Sequence, residues 1–397
     1  MLILRGFAAL SFVILASASH ADELLERLPA AADVPPAARE SIQVLQALPT
    51  TESVEIVRVS PEFLRSSSDL TIALDERDIL SLEKTASAET ADKQYVWSGT
   101  TPAALAMGGG IEGAATIAVN DGKVSASIRT SEGVFRLQPL ADGLHALIKI
   151  KQSGFPAEHP NSAPSPRDQQ RDINRSELRK AGDDSIAEIS VLVAATTAAA
   201  AKIDLQGFAQ LAVNVSNESF NNSGIHAKFK LAGTYVSNYK EAGSHEADLA
   251  HLADGTDGVL DDITKERDSL SADVVVLLTN DDSYCGLARD IFANSSNAFA
   301  TVYWLCAVDN LSFPHEIGHL LGACHNPEVN PDCSPFAYGH GFLDAGKRMR
   351  TVMAYDCLNH DCPRTTQWAR PPVWGDDSVS YDAKVIEETS PRAAQFR

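Results

Sequence analysis

The segment from His315 to His325, which reads HEIGHLLGACH, has the residue types and the spacing of a metal site. Four residues advance an α-helix by slightly more than one turn, so His315 and His319 project from one face and can reach the same ion. Gly322 can adopt the left-handed conformation that ends a helix, which lets the chain turn and bring in His325 as a third ligand. We therefore predict that the three histidines bind one Zn²⁺.

Glu316 follows the first ligand and lies about 100° around the helix from it, beside the predicted metal site. Three neutral imidazoles leave one tetrahedral position for water, which is typical of catalytic rather than structural zinc. Zinc lowers the pKa of bound water towards about 7, so Glu316 can accept its proton as the general base while the water attacks a polarised peptide carbonyl. The pattern predicts a zinc-dependent endopeptidase. The alternatives are a coincidental cluster of core histidines and a non-catalytic zinc-bearing binding protein, in which Glu316 would have no role.

A methionine lies 28 residues after His325, in the segment RTVMAYDC. Together with the histidine motif, this segment resembles the metzincin metallopeptidases, which combine H-E-x-x-H-x-x-G-x-x-H with a later methionine turn. The resemblance implies that Met353 lies beneath the zinc as an apolar floor and that Tyr355 stabilises the tetrahedral intermediate. Without the resemblance, Met353 would be interpreted as core filler and Tyr355 as a packed tyrosine.

Further segments resemble the reprolysin-like secreted peptidases and, among them, the bacterial peptidyl-Asp metalloendopeptidases. They are YCGLA, SFPHEIGHLLGACHNPE, FAYGHGF and PRTTQWARPP in the carboxyl-terminal half, and YVWSG and FPAEHP before it. The resemblance implies cleavage of protein or peptide substrates on the amino side of Asp, which requires a cation for the Asp carboxylate. Arg350 and Arg364 are the candidates, because a guanidinium fork suits a carboxylate. The alternatives are solvated surface arginines and a broad-specificity metzincin without an Asp preference.

The first 21 residues predict export. Arg5 precedes an apolar run, and the small residues Ser19 and Ala21 have the spacing that a signal peptidase recognises. A membrane anchor is the alternative, but the run is shorter than the roughly 20 residues that span a bilayer. The net charge of −20 argues against nucleic acid or an anionic membrane as a partner. We therefore expect a secreted, soluble protein.

All six cysteines lie in the last third of the chain, and an even number in an exported protein predicts disulfides. Six cysteines allow 15 pairings; we predict Cys285–Cys306, Cys324–Cys333 and Cys357–Cys362. Zinc binding by cysteines is the alternative, but the chain has no C-x-x-C pair. Calcium could bind the acidic stretches 254–257 and 280–282, although turn formation and helix capping explain them more simply.

Three regions follow the predicted signal peptide. Residues 22–153 predict a β-rich domain, because the runs TIAV, KVSASIRT, VFRLQPL and LHALIKI are separated by turn residues, as in a β-meander. Residues 154–185 predict a linker exposed to proteolysis, with potential cuts before Asp168, Asp172 and Asp183. Residues 186–397 predict the catalytic domain. The resemblance implies that residues 22–153 form an inhibitory propeptide.

The catalytic region predicts an α/β (α+β) fold, for which the resemblance implies a twisted mixed sheet and an active-site helix. EISVLVAA and HAKFKLAGTYV predict strands on either side of an alanine-rich helix that reaches Phe220. A helix near 258–267 and strands at 273–278 and 298–306 precede the metal segment.

The region 22–153 contains no cysteine, so a thiolate cannot block the zinc in a zymogen. Glu158 and His159 in FPAEHP are candidate metal-directed groups, although an ordinary loop is the favoured interpretation.

Pro314 directly precedes the first ligand and is tolerated only in the first turn of a helix. We expect the active-site helix to begin late, with Ser312 as its N-cap, and the placement of His315 to be loosened.

Overall fold

The structure is a computed structural model that describes residues 24–28, 34–74, 78–91, 93–103, 113–159, 173–180 and 182–397. The predicted signal peptide and the candidate cuts before Asp168 and Asp172 lie outside these residues. Two large sheets form the described part, one before the predicted linker and one after it. None of the described helices is both long enough and apolar enough to cross a membrane.

The first sheet is antiparallel throughout and has the strand order β1-β2-β9-β8-β7-β6-β5-β4-β3. Its elements are β1 (Leu25–Arg27), α1 (Pro36–Gln46), β2 (Thr51–Val59), β3 (Asp69–Ala73), β4 (Ile79–Ala91), β5 (Gln94–Thr100), β6 (Ala114–Asn120), β7 (Lys123–Thr130), β8 (Gly133–Pro139) and β9 (Leu144–Ile150). The β6 to β9 meander is the one that the turn residues predict. Asp121 and Gly122, with φ of 47° and 81°, form the tight turn between β6 and β7.

The second sheet has the order β11-β10-β12-β14-β13, and only the edge strand β13 is antiparallel to its neighbour. Its strands and the surrounding elements are β10 (Ala187–Thr196), α2 (Thr197–Ala200), α3 (Leu205–Asn222), β11 (Ala227–Ser237), α4 (His245–Asp254), α5 (Asp261–Leu270), β12 (Val274–Thr279), β13 (Gly286–Ala288), β14 (Phe299–Tyr303), α6 (Trp304–Asp309), α7 (Ser312–Leu321), β15 (Leu343–Asp344), β16 (Met349–Arg350) and α8 (Asp382–Ala393). Every residue of β12 is buried, as expected for a parallel strand covered on both faces.

The predicted mixed α/β fold is confirmed, with three corrections to its elements. The strand predicted over 298–306 ends at Tyr303, and α6 begins at Trp304. The helix predicted near 258–267 begins at Asp261 and continues to Leu270. The alanine-rich helix predicted to reach Phe220 is divided into α2 and α3, and α3 continues to Asn222. The first error has a physical cause: the whole run is buried, so hydrophobicity shows no period that could separate strand from helix.

The two sheets share a core through α3, because Val96 and Ala118 of the first sheet belong to the same buried cluster as Phe208 of that helix. Polar contacts cross the same boundary. Arg136 Nη1 lies 2.9 Å from Asp309 Oδ2 in a buried ion pair, and Thr116 donates a 2.8 Å hydrogen bond to Glu218. The first sheet is thus packed against α6, which directly precedes the helix that carries the metal motif.

Candidate active site

The metal-motif helix α7 begins at Ser312. Leu311 is its N-cap, with φ of 57° and no side-chain cap bond, so the prediction of Ser312 as the N-cap is wrong. Pro314 falls in the first turn, where its missing N–H would have had no intrahelical partner. The His315 N–H donates to the Leu311 carbonyl at 3.2 Å and its side chain is fully buried, so the proline has not loosened the first histidine.

The helix ends where the motif predicts, and the third histidine comes next. Gly322 is the C-cap, with φ of 110° in the left-handed region. A Cβ at this position would lie 2.9 Å from Phe336, so both conformation and space require glycine. The turn brings His325 back beside the helix, where its Nε2 lies 2.9 Å from that of His319.

The ring nitrogens of the motif histidines are arranged for a metal ion. His315 Nδ1 donates to the Val352 carbonyl at 2.8 Å, and His319 Nδ1 donates to the Ala323 carbonyl at 2.9 Å. These bonds fix the tautomer that leaves Nε2 as the ligand atom. His315 Nε2 is buried and has no hydrogen-bond partner among the described residues. An unpartnered acceptor beside two further imidazoles fits a bound cation.

Burial keeps these imidazoles neutral. It lowers the pKa of His319 to about 3, and nearby His159 acts in the same direction. Burial also lowers the pKa of His315, helped by the Arg364 charge, and that of His325, helped by the neighbouring imidazoles. Neutral imidazole is the form that binds metal, so the set is ready to bind at neutral pH.

Met353 packs against the helix that carries the metal motif. It is fully buried, and a Cβ added to Gly318 would approach its Sδ to 2.6 Å and the Trp368 ring to 2.9 Å. Gly318 therefore lets the helix rest directly on the thioether. The Met353 thioether thus packs against the helix at Gly318, one residue before His319.

Glu316 and Tyr355 lie on either side of a histidine from the amino-terminal half, His159. The Glu316 carboxylate is fully buried, with Oε1 3.0 Å from His159 Nε2. Tyr355 Oη lies 3.2 Å from His159 Nδ1, and its ring centroid is 4.3 Å from that of His325. Burial raises the pKa of Tyr355, as do the Glu158 and Glu316 carboxylates, so its hydroxyl keeps its proton. Tyr355 is therefore a hydrogen-bond donor close to the histidines.

Arg350 and Arg364 come together in one buried pocket, so their interpretation as solvated surface residues is wrong. Their side chains are 4% and 1% exposed, and both bind the carboxylate of Glu158. Arg350 Nη1 lies 3.2 Å from Oε1 and Arg364 Nη1 lies 3.1 Å from Oε2, while Asn310 donates to Oε1 at 2.9 Å. The pocket is built to hold one carboxylate.

The charges in this pocket remain paired. Burial lowers the pKa of Arg364 to about 10, with Glu158 acting in the opposite direction, which leaves the guanidinium protonated at neutral pH. Burial alone would raise the pKa of Glu158, but Arg364, Arg350 and Asn310 outweigh it and hold that pKa below its ordinary value. Glu158 is therefore a carboxylate.

Sequence reasoning missed Asn310 and gave too little weight to Glu158 and His159, since an ordinary loop was the favoured interpretation of FPAEHP. Both side chains are buried, 7% and 5% exposed, inside the site. The signal was an acid next to a histidine in a segment with no other chemistry. Asn310 carried no signal, because its role depends on contacts with residues distant in the chain.

The structure contains three disulfides, Cys285–Cys306, Cys324–Cys333 and Cys357–Cys362, the pairing that the sequence favoured. Cys285–Cys306 links the start of the edge strand β13 to α6. Cys357–Cys362 closes the short loop between Tyr355 and Arg364. These crosslinks brace the segments around the pocket.

Comparison with known proteins gives matches over most of the chain. The family model described as Reprolysin_5, metallo-peptidase family M12, matches residues 186–368. A peptidyl-Asp metalloendopeptidase of Stenotrophomonas maltophilia (strain R551-3) is 35% identical over 96% of this chain and 95% of its own length. One of Xanthomonas campestris pv. campestris is 33% identical over 91% of this chain and 89% of its own. One of Pseudomonas fragi is 30% identical over 99% of its length but only 46% of this chain.

Proposed function

This chain belongs to the M12 metallopeptidases, and from that premise we propose that it hydrolyses peptide bonds on the amino side of Asp, using one catalytic zinc. The observation that carries the substrate proposal is the pair of buried arginines that both bind one carboxylate, at 3.1 and 3.2 Å. The relatives named peptidyl-Asp metalloendopeptidases support the same assignment.

His315, His319 and His325 are the proposed zinc ligands. Their support is the unpartnered Nε2 of His315, the neutral imidazoles and the carbonyls that fix two of the rings. When bound, zinc polarises the scissile carbonyl and activates a water molecule for attack. The chain itself supplies three neutral imidazole donors, two of them fixed by backbone carbonyls.

Glu316 is the proposed general base. Its carboxylate is buried beside the imidazoles, on α7, so it can accept a proton from the attacking water and deliver it to the departing amine. Tyr355 donates a hydrogen bond to the developing oxyanion, and its high pKa keeps that proton available. Met353 supports the ligand helix from below.

Arg350 and Arg364 bind the Asp side chain that follows the scissile bond. Two guanidinium groups give more than charge, because their fixed N–H directions select the planar carboxylate of Asp over the amide of Asn. Asn310 adds a third donor. An uncharged side chain would leave two buried cations without a partner, which is a strong basis for rejection.

The protein is proposed to be exported as a zymogen, with residues 1–21 as signal peptide, 22–153 as β-rich propeptide, 154–185 as linker and 186–397 as catalytic domain. Three disulfides fit an oxidising compartment. The Pseudomonas fragi relative aligns over nearly its whole length with less than half of this chain, so a protein with the same printed name can be about half as long. Protein or peptide substrates and the chain's own propeptide are the proposed partners.

A broad-specificity metallopeptidase without an Asp preference is the alternative within the same family. It would use the same histidines and Glu316, and Arg350 and Arg364 would serve only to bind Glu158. The zinc-bearing binding protein without catalysis is weakened by the buried Glu316, which such a protein would not need.

The test is to incubate the processed, zinc-loaded enzyme and its Glu316→Gln variant with a denatured protein and to identify new amino termini by mass spectrometry. We expect termini dominated by Asp from the wild type, loss of cleavage with a chelator and recovery on adding zinc. New termini with mixed residues would support peptidase activity but contradict the proposed Asp preference. Cleavage by the chelated wild type, or by Glu316→Gln at the wild-type rate, would overturn the metal mechanism.

A further inference from the structure

We propose that Glu158 and His159 are a two-residue internal inhibitor, in which Glu158 occupies the Asp pocket and His159 supplies a fourth imidazole to the zinc. This inference rests on the proposed function, since it assigns the pocket to Asp and the histidines to zinc. We call residues 156–159 the plug. It follows β9 closely and so belongs to the half of the chain that is proposed to be removed.

The Glu158 carboxylate has all the partners expected for a substrate Asp. It is bound by Arg350 and Arg364, and Asn310 donates to it at 2.9 Å. Ser312 Oγ lies 3.4 Å from Oε2, at the start of α7. No second acid from the described residues competes for the two guanidinium groups. While Glu158 stays in place, a substrate carboxylate has no site.

His159 lies where the attacking water must bind. Its ring centroid is 4.7–5.4 Å from those of His315, His319 and His325. One ligand nitrogen from each of the four rings lies within 4.8 Å of the others. His159 also contacts both Glu316 and Tyr355, the proposed base and the proposed oxyanion donor. One imidazole therefore occupies the position that all three catalytic elements share.

The order of the two plug residues should prevent cleavage of the chain at the plug. In a substrate, the residue that presents its carbonyl to the metal precedes the Asp that enters the pocket. In the plug the acid comes first, and the metal-directed side chain follows it. A side chain thus replaces the scissile carbonyl, and the chain order is the reverse of that in a substrate.

Backbone contacts hold the plug against the edge of the second sheet. The Cys285 N–H donates to the Ala157 carbonyl at 2.8 Å, and the Gly286 N–H donates to the Glu158 carbonyl at 3.3 Å. Gly286 also lets the Glu316 side chain lie against this strand, because a Cβ there would lie 2.7 Å from Glu316 Oε1. The plug also remains tethered to the first sheet, which the buried Arg136–Asp309 pair holds against α6.

The metal half of the proposal is tested by X-ray absorption on the full-length, zinc-loaded chain carrying Glu316→Gln, which prevents self-cleavage and retains a hydrogen-bonding side chain. We expect four imidazole ligands in this protein and three, with one added oxygen ligand, when His159→Gln is introduced. His251→Gln, which changes an exposed histidine paired with Asp257, is the matched control and should keep four. Three imidazoles before the His159 change would overturn the metal half.

The pocket half is tested by hydrogen exchange at the Cys285 and Gly286 amides, which the plug carbonyls protect. In the same Glu316→Gln background, Glu158→Gln should raise exchange at both amides about 10- to 100-fold, because it removes the charge from two buried ion pairs. Glu132→Gln, at an exposed turn of the first sheet, should leave exchange unchanged. Unchanged exchange in Glu158→Gln would overturn the pocket half.

Both readouts use an inactive chain, so they do not depend on which bonds the processed enzyme cuts. Failure of the Asp proposal would appear as mixed termini in the digestion experiment, with ligand number and exchange as expected. Failure of the plug would appear as three imidazoles or unchanged exchange in a chain whose processed form still cuts before Asp.

Discussion

The candidate active site has two ends that are built in different ways. We call the motif histidines with Glu316 the metal end, and Asn310, Arg350 and Arg364 the pocket end. His315, Glu316, His319 and His325 lie within eleven consecutive residues, on one helix and the turn that follows it. The carboxylate pocket draws Asn310, Arg350 and Arg364 from separate segments, and Cys357–Cys362 crosslinks the loop that leads to the last of them. The first end is fixed by helical geometry, and the second depends on the packing of the whole domain.

This difference separates chemistry from specificity. Helical spacing alone brings two proposed ligands and the proposed base together, so we expect the same segment to support peptide hydrolysis whatever the neighbouring loops contain. A pocket for one side chain requires the loops to be held in place, and here the backbones of Arg350 and Arg364 bridge each other directly. Changes at the metal end should affect all substrates, and changes at the pocket end should affect only acidic ones.

The largest expected effect comes from Glu316→Gln in the processed enzyme. Loss of the general base should lower kcat by about 10²- to 10⁴-fold, with the same factor for peptides that carry Asp or Asn after the scissile bond. Steady-state kinetics on the matched peptides measures both factors. A loss confined to Asp peptides would mean that Glu316 belongs to the pocket end.

Arg350→Ala should lower kcat/KM for Asp peptides by about 10- to 10³-fold, since it leaves the carboxylate with one guanidinium. It should also lower the melting temperature, because Arg350 donates to the Cys362 and Ala354 carbonyls at 2.8 and 2.9 Å. Kinetics with Asp and Asn peptides and a thermal melt report the two effects. An equal loss on both peptides would assign Arg350 to the scaffold alone.

Gly318→Ala tests the floor of the metal end. The added Cβ would meet the Met353 thioether and the Trp368 ring, so we expect about 1–3 kcal/mol lower stability towards unfolding by denaturant. Gly346→Ala is the matched control, since its Cβ would meet only Asp344 Oδ1 at 3.4 Å. Equal stability of the two variants would show that α7 does not rest on Met353 tightly.

Ser312→Ala should have the smallest effect. Its hydroxyl lies 3.4 Å from the Glu158 carboxylate, at the limit of a hydrogen bond, so kcat/KM for Asp peptides should fall by about threefold or less. Kinetics on the processed enzyme measures this change. A tenfold loss of kcat/KM would instead show that Ser312 is a pocket donor, as proposed for Asn310.

The sequence predicted the elements that carry a clear local signal. Turn residues such as Asp121 and Gly122 fixed the β-meander, and the continuous apolar run of β12 predicted a buried strand. The boundary at Tyr303 and Trp304 could not be predicted, because buried residues on both sides leave no period. The N-cap at Leu311 was missed because Ser312 is the better capping residue and is used to contact Glu158 instead.

The residues of the candidate site also differ in how far the sequence predicts them. The histidines and Glu316 follow from the spacing of one helix, whereas the arginines were candidates only through the resemblance and had an equally plausible surface interpretation. Asn310 and the burial of Glu158 depend on contacts across more than 150 positions in the chain, and no local pattern encodes them. Tertiary packing, rather than residue type, made them part of the site.

The most direct test of the central claim compares kcat/KM for two peptides, identical except for Asp or Asn after the scissile bond, in the wild-type enzyme and in Arg364→Ala. We expect the wild type to prefer Asp by about 10²- to 10³-fold, because Asn leaves two buried cations unpaired. The preference should shrink at least about tenfold in the variant, through loss on the Asp peptide. A wild type without preference, or a preference unchanged by Arg364→Ala, would contradict the account.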